Sequence, residues 1–196
     1  MNYEEQILSL ADENDGVVTT KEINRLGIPR FYLSKMVKEG YLKRVDRGIY
    51  ASKEIQYDPL FNLQTHSAKV IISHFSALEL LGFYKDDNAK IQISVPQGYN
   101  AMNLKEYECF YDNETIYQVG IIEVENKFSN KIKIYDLERS ICDIIKNKNR
   151  FESERVNRLI NYYFNLDNLD YQKLLYYSKS LRISEKVKTY LSLFKV

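Results

Sequence analysis

Between Leu26 and Ser52 the chain reads LGIPRFYLSKMVKEGYLKRVDRGIYAS, and the chemistry of that stretch is cationic. Arg30, Lys35, Lys38, Lys43, Arg44 and Arg47 crowd around a Gly-Ile-Pro turn and an Asp-Arg-Gly turn, with Phe31, Tyr32 and Ser34 set among them. Guanidinium and ammonium groups hold phosphate and read guanine edges in a major groove, and an exposed aromatic ring packs on a thymine methyl. The competing reading is a solvated or protein-binding surface, with Phe31 buried against a second domain.

Other residue types point to little chemistry. His66 and His74 are the only histidines and do not stand as a metal pair. Ser73 and Ser76 flank His74, but a Ser–His pairing without an acid at recognisable spacing or a nucleophile elbow is a weak hydrolase signal. Cys109 and Cys142 lack CxxC spacing and read as reduced thiols. The seven glycines are scattered singly, so no phosphate-cradling loop is present. In YDLERS, Asp136 reads as a helix cap, Glu138 as a first-turn acid suited to the helix dipole, and Arg139 as a buried or partner-facing ion-pair residue. No catalytic residue, metal or cofactor is indicated, and the chain is not expected to be an enzyme.

Charge supports an anionic partner. The net charge is +1, but residues 1–19 carry −5, residues 20–53 carry +6, residues 54–145 carry −6 and residues 146–196 carry +6. Two basic blocks around an acidic middle say more than the total does. The opening MNYEEQ is acidic with no apolar run behind it, and no run approaches the ~20 apolar residues of a membrane span. Neither a leader nor a membrane segment is expected, and the expected location is the cytoplasm.

The elements that must position the cations follow from periodicity. Tyr3, Ile7, Leu10 and Ala11 share one helix face. Thr19 stands three residues before Glu22 in capping-box spacing and opens a second helix, with Ile23 and Leu26 on its buried side and Lys21 and Arg25 on its outer side. Gly27 stops it, and Pro29 suits the first turn of a third helix whose buried stripe is Leu33, Met36 and Val37. At ~100° per residue, Phe31, Lys35 and Lys38 then lie opposite that stripe, Ser34 faces outward, and Arg30 and Tyr32 flank it. YLKRVDRGIYAS reads as two strands around a three-residue Asp46-Arg47-Gly48 turn. Helix, short strand, helix, turn, helix, hairpin is the order of a winged helix-turn-helix, whose third helix enters the major groove and whose wing carries Lys43, Arg44 and Arg47 to phosphate.

Beyond Gln56 the pattern changes. A helix over 57–69, a brief VIIS strand, a helix closed by Gly82, strands over 89–97, 106–111, 116–126 and 131–136, and four helical stripes after Asp136 are expected. The helical stripes are Leu137, Ile141, Ile144 and Ile145; Val156, Leu159, Ile160, Tyr163 and Phe164; Tyr171, Leu174 and Leu175; and Val187, Tyr190, Leu191 and Phe194. The expected fold class is α+β: a winged helix-turn-helix over 1–55, then a larger α+β domain over 56–196 with a small sheet and a C-terminal helical bundle. Arg155, Arg158, Lys173, Lys179, Arg182, Lys186 and Lys188 fall among the last stripes and are expected to be largely exposed as a second basic surface.

Three segments, taken in order, resemble the AbiEi-type antitoxins of the AbiE abortive-infection systems, classed as type IV toxin–antitoxin. They are the winged helix with its hairpin RVDRGIYA; IISHFSALELLGF followed by a strand ending VPQG; and IYDLERSICDII with Glu138, Arg139, Ser140 and Asp143. They span most of residues 3–146, and the last fifty residues fit only as helical and basic. The resemblance implies that the N-terminal domain represses its own operon at promoter inverted repeats. It also implies that the second domain counters a nucleotidyltransferase-type toxin without a stable complex, as part of phage defence. Two alternatives stay open: a one-component transcriptional regulator with a ligand-sensing C-terminal domain, and an adaptor that contacts proteins only.

Overall fold

The computed structural model describes residues 2–53, 55–85, 90–102 and 104–194. The chain forms two compact units, Met1–Pro59 and Leu60–Val196. The fold is α+β with an N-terminal winged helix.

In the first unit, α1 (Tyr3–Glu13) opens on a capping box in which Asn2 and Glu5 satisfy each other's backbone donors. β1 (Val17–Thr19) leads into α2 (Thr20–Arg25), capped reciprocally by Thr19 and Glu22. After the Gly27 turn comes α3 (Phe31–Lys38), then β2 (Leu42–Asp46) and β3 (Ile49–Ser52). The three strands form an antiparallel sheet in the order β1-β3-β2. Asp46 joins the ladder opposite Ile49, so the wing turns on Arg47-Gly48 rather than on three residues, with an irregularity between Arg44 and Asp46. The turn holds Gly48 at φ +76, a conformation that favours glycine. Ile7, Ala11, Val18, Ile23, Ile28, Leu33, Met36 and Leu42 make one core beneath it.

The second unit takes in α4 (Pro59–His66) from its second residue, then β4 (Ile71–Ile72), α5 (His74–Leu80), β5 (Gln92–Pro96), β6 (Glu108–Asp112), α6 (Glu114–Tyr117), β7 (Ile121–Glu125) and β8 (Lys131–Tyr135). Then follow α7 (Leu137–Lys146), a 3-10 turn (Lys148–Arg150), α8 (Ser153–Phe164), α9 (Tyr171–Ser180) and α10 (Ser184–Leu193). The five strands pair as β6-β5-β4-β8-β7, with β5/β6 and β4/β8 parallel and β4/β5 and β7/β8 antiparallel. One apolar cluster gathers Leu63, Ile72, Ile93, Val95, Ile132 and Ile134; a larger one joins Phe75 and Leu78 to α7–α10 through Ile141, Ile144, Leu159, Tyr163, Leu174 and Val187.

Two expectations are corrected in the second unit. The strand expected over 116–126 begins only at Ile121, because Asn113 accepts the Ile116 N–H at 3.0 Å and caps the short α6 instead. The stripe of α9 is Leu174, Tyr177 and Ser178, while Tyr171 and Leu175 are exposed. The Tyr177 hydroxyl donates to Asp136 Oδ2 at 2.6 Å, which fixes that inward face. Ala89, where one expected strand starts, lies outside the described residues.

Candidate nucleic-acid interface

α3 presents its face through the packing of Leu33 and Met36, both buried, on the core of the first unit. That packing turns Phe31, Ser34 and Lys38 to solvent, and Phe31 is 68% exposed. Arg30 holds the N-cap position without a side-chain cap, and its Nε donates to Asn24 Oδ1 at 3.1 Å. That bond ties the start of α3 to α2 and keeps Arg30 at the surface. Tyr32 is half-buried and meets Tyr3 edge-on at 5.1 Å between ring centroids.

Lys35 differs from the free groove-facing cation that the helical wheel implies. Its ammonium pairs with the Glu4 carboxylate on α1 and lies 3.7 Å from Glu39. The Glu4 hydrogen bond holds its pKa above the ordinary lysine value. Lys21, Arg25, Lys38 and Arg47 are exposed, and among the described residues they take part in no ion pair. Local periodicity carries no trace of the Glu4 contact, which joins residues thirty-one apart. Leu26, expected with Ile23 on the buried side of α2, is instead 53% exposed, because the helix ends at Arg25 and the chain turns at Gly27. Tyr41, which sequence reading passed over, is 57% exposed after the end of α3.

The wing is anchored, not loose. The Gly48 carbonyl accepts both the Thr20 N–H at 2.8 Å and the Thr20 hydroxyl at 3.2 Å, so its tip is fastened to the start of α2. Arg47 projects from this tip, and its backbone N–H donates to Asp46 Oδ1. Arg44 is exposed opposite Tyr50, with Nε donating to the Asp46 carbonyl at 3.2 Å. Lys43 is half-buried opposite Ala51. α3 and the wing therefore present exposed cations and an aromatic ring on rigid elements of one unit, an arrangement able to hold phosphate and touch base edges.

The second basic surface is smaller than expected. Arg155 is half-buried and lies 3.6 Å over the Phe75 ring, because the cation packs on the aromatic core. Lys173 is half-buried as well and pairs with Asp136 at 3.0 Å and Glu138 at 3.6 Å, so it belongs to the α7–α9 seam. Arg158 and Lys188 are exposed but pair along their own helices with Glu154 and Glu185. Lys179, Arg182 and Lys186 remain exposed outside the ion pairs of the described residues.

The Ser73–His74 motif has no nucleophilic geometry. Asn147 Nδ2 donates to the Asp143 carbonyl at 3.0 Å and faces His74 Nε2 at 3.0 Å, which makes Nε2 an acceptor and leaves the proton on Nδ1. Nδ1 then donates to Ser73 Oγ at 2.9 Å, the reverse of general-base activation. Burial, with Arg139, Arg150 and Lys146 nearby, holds the His74 pKa well below the ordinary histidine value. Among the described residues no group of three His, Cys, Asp or Glu is placed to hold a metal ion, and no helix is long and apolar enough to cross a membrane.

Residues 5–53 match a family model described as "Transcriptional regulator, AbiEi antitoxin", which covers most of the first unit and leaves the second outside. No curated protein matches the chain. Among solved structures, the crystal structure of the RV2827C protein from Mycobacterium tuberculosis is similar, with a TM-score of 0.52 and 14% identity over 97% of this chain and 80% of that one. At that identity the likeness speaks for the fold alone.

Proposed function

We propose that the protein is an autoregulating antitoxin. Its first unit binds promoter DNA at inverted repeats and represses its own operon. Its second unit counters a nucleotidyltransferase-type toxin without a stable complex. The observation that carries the DNA-binding half is the coincidence of the AbiEi match over residues 5–53 with the exposed cationic and aromatic face of α3 and the anchored wing. In this reading Arg30, Phe31, Ser34 and Lys38 face the groove, with Tyr32 and Lys35 at its flank. Lys21, Arg25, Lys43, Arg44 and Arg47 hold the backbone. The antitoxin half rests on family likeness, and both activities belong in the cytoplasm.

The test uses the upstream region of the protein's own gene. The full chain should shift a duplex of that region more tightly than a random duplex, and the preference should persist with salt while total affinity falls. Expression beside the adjacent gene should rescue growth if that gene encodes the toxin. Specific binding without rescue would favour a one-component regulator, and rescue without specific binding would remove the repressor role.

A further inference from the structure

We infer that Glu4, on α1 outside the DNA-facing elements, sets the affinity of α3 for DNA by competing with phosphate for Lys35. The inference rests on the DNA-binding reading of the first unit.

The competing carboxylate is built into the fold. The Asn2–Glu5 capping box fixes the first turn of α1, so the position of Glu4 is not left to a fraying end. Tyr3, one residue earlier, packs edge-on against Tyr32 of α3 at 5.1 Å and pins that turn to the neighbouring helix. Asn2, Tyr3, Glu4, Tyr32 and Lys35 together line a cleft of about 550 Å³ between α1 and α3. The Lys35 ammonium meets Glu4 within it and Glu39, one turn along α3, at 3.7 Å. Two carboxylates thus flank one cation.

The side chains of Lys35 and Glu4 are 38% and 29% exposed, so the pair stays open to competition by an incoming anion. A DNA phosphate presents the same chemistry as the Glu4 carboxylate, an anionic oxygen that accepts from the ammonium. Lys35 reaches DNA only by releasing Glu4, so the energy of the pair is subtracted from binding. An exposed pair of this kind is worth a small factor in affinity, which suits a repressor that must release its promoter.

The test compares the full-length protein with Glu4→Gln, Lys35→Met and the double variant, on the upstream duplex over a salt series. Glu4→Gln leaves the capping box untouched and should bind about two- to fivefold more tightly at low salt. Its log–log salt slope should steepen by about 0.9, the signature of one more phosphate contact. In the Lys35→Met background the same substitution should do nothing. An unchanged affinity for Glu4→Gln, or a gain that persists without Lys35, overturns the competition while leaving DNA binding intact. Absence of binding by the unsubstituted chain overturns the DNA-binding reading and this inference with it.

Discussion

Arg139 Nη2 lies 2.8 Å from Asp112 Oδ2 and joins α7 to the edge strand β6 inside the second unit. The same guanidinium donates through Nε to Asp143 at 3.0 Å and through Nη1 to the Ile116 and Val119 carbonyls at 2.6 Å each. Its plane rests 4.1 Å over the Tyr135 ring, and the side chain is 1% exposed. One buried cation thus fastens α7, β6, β8 and the α6–β7 connection.

Arg139→Met should therefore cost about 3–5 kcal/mol, because it strands the buried Asp143 carboxylate and two carbonyls and leaves Asp112 with Lys146 alone. Lys146→Met should cost roughly 1–2 kcal/mol, since Arg139 still holds Asp112. Guanidinium unfolding of the full chain followed by circular dichroism compares the two. Equal losses would mean that the network does not centre on Arg139.

Acidification should expose two opposed groups in this network. Burial outweighs the Arg139 attraction and lifts the Asp143 carboxyl to about 6. That group binds its proton in the folded state first, so its stabilising contribution is full below the unfolded value near 3.8 and is lost as pH rises through about 6. Buried His74 acts the other way: its contribution is full above the unfolded value near 6.5 and is lost as pH falls. Each proton contributes a slope of at most about 1.4 kcal/mol per pH unit. Asp143→Asn should make stability fall more steeply between pH 6 and 4, and His74→Gln should make it fall less steeply. Unfolding curves across that range separate them, and parallel profiles for all three proteins would refute the opposition.

Much of the first unit was legible because its signals are local. Thr19 and Glu22, Gly27 and the Asp-Arg-Gly tip each mark a boundary within a few residues, and helical spacing oriented Phe31 and Lys38 correctly. What joins distant residues was not legible. Glu4 reaching Lys35 leaves no periodic trace, so the ion pair that holds Lys35 was not foreseen. In the second unit, the two-residue β4 sits mid-sheet and pairs with β5 and β8, an order that no alternation pattern encodes. The β-branched Ile116 and aromatic Tyr117 suggested a strand, but the Asn113 cap prevailed. Arg155 and Lys173 counted as surface charge by type, whereas aromatic and acidic neighbours draw them inward.

Gly120 offers a test of backbone freedom at the Arg139 hub. It holds φ +85, and an added Cβ would stand 2.8 Å from Arg139 Cβ and 3.0 Å from its Cγ. Gly98 holds φ +84 with nothing within 4 Å of such an atom. Gly98→Ala should thus cost about 1 kcal/mol from conformation alone, and Gly120→Ala about 2–3 kcal/mol more, since Arg139 cannot shift without breaking its ion pairs. Thermal melts of both variants provide the comparison. Similar losses would show that the hub absorbs the extra atom freely.

On DNA, Phe31→Ala and Arg47→Ala should fail in different ways. Phe31 is 68% exposed, so its removal should leave the melting temperature nearly unchanged. It should lower affinity for the upstream duplex and flatten discrimination against random sequence, as loss of a base-edge contact does. Arg47 at the wing tip should weaken binding to both duplexes alike and reduce the salt slope by about 0.9. Anisotropy titrations on the two duplexes read both effects. Loss of specificity from Arg47→Ala alone would move base reading to the wing.

Repression and antitoxin activity should be separable between the two units. Lys38→Ala with Arg47→Ala removes two exposed cations of the first unit that take part in no ion pair among the described residues. Neither side chain supports the core, so the double variant should fold, lose repression of a promoter reporter and still rescue growth when expressed from a foreign promoter. The reciprocal change is charge reversal at Lys179, Arg182 and Lys186, the exposed cations of the expected second basic surface that take part in no ion pair among the described residues. It should impair rescue with little effect on repression. Arg155→Glu is unsuitable for that purpose: it replaces a cation stacked at 3.6 Å over Phe75 and should destabilise the second unit itself. Abundance on immunoblots, reporter output and growth rate together decide the outcome. A folded, abundant Lys38→Ala, Arg47→Ala protein that cannot rescue would place antitoxin action on the DNA-binding face, and the division of labour between the units would be wrong.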